Sequence, residues 1–169
     1  MIKHFRIDER LIHGQVVLAW SKVFRITHIV VANDSAVANT VVGQTLTMAT
    51  PPGMKASIKT VKDAIELLND PRCEPLSILV LVDSPKDALE LIDGVKEIKS
   101  VNIGNYGRLD AAKDGRERLV EGLYANEEDK KWLKKILETG VEAYVQVTPE
   151  KTKTDLKRLF EKEKEKEEG

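Results

Sequence analysis

Arg6-Ile7-Asp8-Glu9-Arg10-Leu11-Ile12-His13-Gly14-Gln15-Val16-Val17, followed closely by Trp20, packs two arginines, two acids and one histidine into eight residues. The stretch reads as the end of a strand, a short polar loop and the start of a helix. It is the first βα junction of the chain. In an open, mostly parallel α/β sheet, ligands bind outside the carboxyl ends of the strands, where the strand order reverses. The position of this loop and its chemistry therefore point to the same place.

Gly14-Gln15-Val16 begins a helix whose first N–H groups lack intrahelical partners, and with the positive end of the helix dipole they form an anion site beside His13. A neutral imidazole has a ring nitrogen able to attack phosphorus, so His13 is the candidate nucleophile. Arg10 can fork two N–H donors onto phosphoryl oxygens. Asp8, Glu9 and Arg6 can either hold Arg10 or set the histidine tautomer, and the residues alone leave both jobs open. Against this stands the ordinary fate of a loop histidine, a solvated side chain with no role.

Outward from the junction, strands and helices alternate. Residues 2–7 read as the first strand and 15–23 as an amphipathic helix with Val16, Val17, Leu18, Trp20 and Val23 available for burial. A β-branched run at 27–32 has the continuous apolar character of a strand buried on both faces. Asn33-Asp34-Ser35 then offers helix caps, and one helix is expected over 37–48, closed by Pro51-Pro52-Gly53. A third strand at 55–59 and a helix at 61–68 follow. Leu76-Ser77-Ile78-Leu79-Val80-Leu81-Val82 is the most apolar run and is expected to lie centrally beside the first strand. Ser84-Pro85 opens a helix over 86–92, with proline at its first position. Strands are expected at 97–103, 119–124 and 141–147, and helices at 127–138 and 154–160. The order specifies a single α/β domain: an open, doubly wound, mostly parallel sheet with helices on both faces and right-handed crossovers.

Bulk properties exclude several classes. Basic and acidic residues number 27 and 28, for a net charge of −1, which does not suit a nucleic-acid or membrane binder needing a basic face. The one cysteine, Cys73, lies between Pro71 and Pro75 in an expected surface loop; no internal disulfide is possible and no ligand cluster accompanies it, so neither metal nor cofactor is expected. No signal peptide and no run of about 18 apolar residues is present, which predicts a cytoplasmic protein.

The run Arg-Ile-Asp-x-Arg-Leu-Ile-His-Gly-Gln-Val with Trp20 resembles the active-site loop of the mannose/sorbose family of phosphotransferase-system enzyme IIB components. Further stretches are similar to family landmarks in the family's order: Ile29–Asp34, Ala49–Gly53, Ser84–Ala88 and Val101–Gly104. The resemblance covers residues 1–158. It implies that His13 accepts a phosphoryl group from the phosphohistidine of a IIA protein and passes it to a sugar held by the membrane components IIC and IID, to which the chain would be peripheral. Arg10, Gly14 and Gln15 would bind the phosphate, with Arg6, Asp8, Asp34 and Ser84 in support. Two places depart from the family pattern: Asn39-Thr40-Val41, where an Asp-Pro pair commonly follows the asparagine, and Asn105-Tyr106, where a glycine and a methionine are usual. Residues 1–160 are expected to form the IIB domain, and 161–169, an alternating acid-base run, a solvated tail.

Two other classes fit the same element order. A receiver-like aspartyl phosphoacceptor would use Asp8, Glu9, Asp34 or Asp83 at strand ends, but lacks a lysine after the fifth strand, where Gly104-Asn105 stands. A Rossmann-like dinucleotide or small-molecule binder lacks its glycine fingerprint, since Gly104-Asn105-Tyr106-Gly107 is neither G-x-G-x-x-G nor a P-loop. Asp34 and Ser84 each have a simpler reading as helix caps.

Overall fold

The most apolar run becomes strand β4 (Ile78–Val82), whose five side chains are all buried. Its backbone pairs in parallel on both edges, with β1 (Ile2–Asp8), in the register Phe5 to Val80 and Ile7 to Val82, and with β2 (His28–Ala32), and its side chains enter the core layers on both faces of the sheet. A computed structural model describes all residues Met1–Gly169. Beyond β2 lies β3 (Lys55–Lys59); beyond β1 lie β5 (Ser100–Asn105), β8 (Glu142–Val145) and the two-residue β9 (Thr154–Asp155). The seven-stranded order is β3-β2-β4-β1-β5-β8-β9, parallel except for β9 at the edge. Thus β1 sits at the middle of the sheet, and the loop after it opens at the carboxyl edge.

Alternation along the strands sorts the core into two layers. Phe5, Ile7, Val80 and Val82 face α4 (Val61–Leu68), α5 (Pro85–Gly94), α6 (Glu127–Glu138) and α7 (Leu156–Glu168), meeting Ala64, Leu91, Leu133 and Leu156. Leu79, Leu81, Ile29 and Val31 face α1 (Gly14–Phe24), α2 (Asp34–Ala38) and α3 (Thr40–Met48), meeting Val17, Ala36 and Leu46. Each fully buried aliphatic side chain contributes roughly 1.5–3 kcal/mol relative to exposure. No helix is long and apolar enough to cross a membrane.

The structure departs from the sequence-based expectations at five places. The single helix expected over 37–48 is two helices, broken at Asn39, whose extended backbone (φ −115°, ψ 102°) lets its side chain accept from the N–H groups of Val41 and Val42. The single strand at 119–124 is a hairpin, β6 (Glu117–Val120) and β7 (Leu123–Ala125), turned at Gly122 with φ +95°. Thr154 and Asp155 do not start a helix; they pair with Val145 and Tyr144, and α7 begins at Leu156. Cys73 is buried in a 3-10 turn with its thiol on the Leu67 carbonyl, because that turn folds under the sheet's amino edge. Of the apolar residues of α1, Val17 and Trp20 are buried, whereas Leu18 and Val23 face outward.

Asn39→Ala removes the acceptor that starts α3 and is expected to lower stability by about 1 kcal/mol, with Asn39→Asp close to neutral; urea unfolding of the three proteins checks this.

Candidate active site

On β1 the residues alternate with Phe5 and Ile7, so His4, Arg6 and Asp8 all point under α1, into the sheet interior. Burying such groups is costly unless each is paired and hydrogen-bonded. Arg6 is 1% exposed, and its guanidinium is enclosed by acceptors. Nη1 donates to Asn102 Oδ1 at 2.6 Å and to the Gln146 carbonyl at 3.1 Å; Nη2 donates to Asp8 Oδ2 at 3.2 Å and to the Val147 carbonyl at 2.8 Å. The Trp20 ring covers it, 5.7 Å from Cζ, in cation–π range. Gly104 makes room: a Cβ there would lie 1.8 Å from Arg6 Cζ.

His4 shares the pocket. Its ring stacks on Trp20 at 4.2 Å and on Phe24 at 4.9 Å, and Nε2 donates to Asn102 Oδ1 at 3.2 Å. Burial, and then the positive charge of Arg6, push its imidazole down to about 3, so it is neutral at ordinary pH.

Asp8 passes this order on to the loop. Besides Arg6, it holds Arg10 by three donors: Arg10 N and Nε to Oδ1, both at 3.0 Å, and Nη2 to Oδ2 at 2.9 Å. Asp8 is 1% exposed and Arg10 38%, so a buried carboxylate aims a guanidinium whose Nη1 has no protein partner. The turn from Asp8 to Leu11 closes with Leu11 N donating to the Asp8 carbonyl at 2.8 Å and needs φ +58° at Leu11. Leu11 and Ile12 then anchor in the core layer beneath α1. Glu9 ties down the other side, accepting at 3.2 Å from Gly107 N and from Leu109 N.

His13 stands at the N-cap of α1 in extended conformation and makes no capping bond with its side chain. Its Nδ1 is buried and has no partner in the protein. No carboxylate touches it, so of the two jobs left open for the acids, Asp8 does one: it holds Arg10. Gly14 starts the helix where a Cβ would come within 3.3 Å of the Ala49 carbonyl, which brings the end of α3 against the start of α1. Gln15 is exposed in the first turn.

Arg6, Asp8, Arg10, His13, Gly14 and Gln15 therefore lie in one continuous piece of structure. Asp34 and Ser84 make no hydrogen bond to it. Asp34 Oδ1 accepts from Val61 N at the start of α4, and Ser84 caps α5 by accepting from Asp87 N. Asp8, enclosed by two guanidinium groups, is not available as an aspartyl phosphoacceptor. Sequence reasoning gave no role to Asn102, Gly104 or Asn105, whose amide approaches Asp8 at 3.5 Å. The signal was present: Asn102 and Gly104 alternate with Val101 and Ile103 in β5, setting one face of a buried strand apart from its apolar face. Nor did it foresee Tyr106 and Arg116, which both bond Asp129, the third residue of α6, and secure the loop that Glu9 grips.

The family model described as PTS system sorbose subfamily IIB component matches residues 2–169. A probable phosphotransferase enzyme IIB component of Streptococcus pyogenes serotype M6 is 38% identical over 161 residues, covering 94% of this chain and 99% of that protein. The mannose-specific EIIAB component of Escherichia coli K12 is 32% identical over 157 residues, covering 93% of this chain but 47% of that longer protein. The crystal structure of the IIB domain of the sorbose permease from Klebsiella pneumoniae superposes with a TM-score of 0.87 at 26% identity, covering 96% of this chain and 97% of the domain.

The depressed His4 predicts an acid sensitivity. The unfolded chain takes up the proton near 6.5 and the folded one only near 3, so stability present above 6.5 is lost as pH falls between those values. By pH 4.5 the loss from this group is roughly 2–3 kcal/mol. Asp87, pushed up to about 6 by burial and then by Asp83, acts with the opposite sign. The readout is thus a difference: His4→Phe is expected to lose less stability than the unaltered protein between pH 7 and pH 4.5 in urea titrations.

Proposed function

The chain belongs to the sorbose-type IIB family of phosphotransferase-system components, phosphotransferases for sugar phosphorylation, and from that membership we propose that His13 is its phosphoryl carrier. The observation that carries the proposal is the chain of bonds from buried Arg6 through Asp8 to Arg10, three residues before a histidine that leaves the first N–H groups of α1 uncapped.

In the first step a ring nitrogen of His13 attacks the phosphorus of a IIA phosphohistidine; the new N–P bond forms as the donor's breaks. In the second, a sugar hydroxyl attacks the same phosphorus, the N–P bond to His13 breaks, and the hydroxyl proton is lost. Charge on the transferring oxygens peaks between the two partners, where Arg10 Nη1 and the N–H groups of Gly14 and Gln15 can meet it. Asp8 holds Arg10 without neutralising Nη1, and Arg6 holds Asp8. Asp34 and Ser84 support the site only through the helices they cap.

The partners are a IIA protein or domain as donor and the membrane components IIC and IID, which present the sugar and make the chain peripheral to the membrane on the cytoplasmic side. The fused mannose-specific EIIAB relative supports the IIA assignment. Residues 1–160 are proposed as the working domain; 161–169 continue α7 with mostly exposed side chains, Glu163 reaching back to Lys130 of α6 at 3.6 Å.

Incubation with a phosphorylated IIA protein is expected to place one acid-labile, alkali-stable phosphoryl group on the chain, absent in His13→Ala and present in His4→Phe. A label removed by hydroxylamine, or one that persists in His13→Ala, would move the site to a carboxylate. Arg10→Ala is expected to keep the fold and slow transfer by roughly 100- to 1000-fold, the usual effect of losing one preorganised donor to developing charge; rapid-quench rates measure it.

A further inference from the structure

Residues 35–54 contain no Asp, Glu, Lys or Arg, in a chain of which 33% is charged and where six or seven would be average. The segment comprises α2 after its first residue, the exposed Asp34, together with α3 and the turn after them. It is not hydrophobic because it is buried: Leu46 is the only buried residue of α3. Four of the eight exposed large apolar side chains of the protein are here, with Val41 70% and Met48 86% exposed beside Val37 and Val42. Between α2, α3 and Ile58 of β3 runs an open groove of about 550 Å³. Folding does not need these side chains outside, and apolar patches of this kind mark protein contacts.

The face is continuous with the active site. The Ala49 carbonyl at the end of α3 lies against Gly14, the residue after His13. A stable protein interface covers about 800 Å² on each partner, a disc of about 16 Å radius, whereas α3, nine residues long, extends only about 13 Å. Any protein that centres on His13 therefore reaches this helix.

Resting on the phosphocarrier reading above, we propose that the uncharged face of α2 and α3 is the docking surface for the soluble phosphohistidine donor protein, with Val41 and Met48 as its principal contacts. Charge decides between the two proteins that must visit His13. Cytoplasmic loops of membrane proteins carry an excess of lysine and arginine and are complemented by acidic surface, which this face lacks from Ser35 to Met54. An anionic membrane would need basic residues, which are equally missing. A soluble donor with an apolar rim around its histidine meets no such mismatch.

The test uses Val41→Asp, Met48→Asp and the double variant, with Val41→Gln and Met48→Gln as milder changes should an aspartate impair folding. With phosphorylated IIA protein as the probe, the aspartate variants are expected to raise the KM for the donor at least tenfold with kcat little changed. Once phosphorylated at high donor concentration, they are expected to pass phosphate to sugar at the native rate in vesicles containing IIC and IID. An unchanged donor KM overturns the proposal. So does a loss in the sugar step alone, which would give the face to the membrane component, or an equal loss in both. A dimer in solution that the substitutions dissociate would give the face to a second copy and also overturn it. If the unaltered chain takes no phosphate from the donor, the phosphocarrier reading itself fails; if it does and the variants match it, only the docking surface fails.

Discussion

A buried arginine in the middle of a parallel sheet is the constraint on which the candidate active site depends. Arg6 occupies a core position of the central strand, where removing an ionised group from water costs several kcal/mol unless its charge and donors are met. Asp8 meets the charge, and Asn102 with two carbonyls after β8 meets the remaining terminal donors. The partners come from β1, β5 and the end of β8, so the guanidinium binds three strands at one level of the sheet. Trp20 and Gly104 follow from the same demand, one as a roof and the other as the absence of a side chain.

What this arrangement supplies to the loop is a carboxylate that cannot turn away. Asp8 is oriented by Arg6 on its buried side and presents both oxygens to Arg10, while the turn back to Leu11 and the grip of Glu9 on Gly107 and Leu109 limit the loop's freedom. Preorganised donors require no rearrangement when charge develops, which is where electrostatic stabilisation gains most. The order within the loop thus derives from the core beneath it.

Much of this was legible in the sequence. The period-two and continuous apolar runs placed β1, β2 and β4, and the clustering of Arg6, Asp8, Arg10 and His13 before Gly14 marked the candidate site, whose residues the fold brings into one continuous piece of structure. The missed parts have two physical causes, one long-range and one local. Asn102 serves His4 and Arg6 across a strand pair, and the break at Asn39 depends on a side chain competing successfully with the helix backbone. Ser84 illustrates the converse, a cap three residues from its donor, whereas Asp34 accepts from Val61 N across the fold while Asn33 caps α2; neither bonds to the loop.

Three buried side-chain nitrogens lack a hydrogen-bond partner in the protein: Arg6 Nε, His13 Nδ1 and Trp20 Nε1. All three fall within fifteen residues of one another, on β1, the loop after it and α1. Buried polar groups elsewhere are satisfied, including the Tyr106, Arg116 and Asp129 cluster that secures the neighbouring loop. Sequences that specify one structure satisfy every local demand, and those demands are relaxed where function requires it. Each acid of the loop is already committed: Asp8 to two arginines, Glu9 to two backbone N–H groups. The histidine is thereby left without a carboxylate partner, its Nδ1 unbonded within the protein.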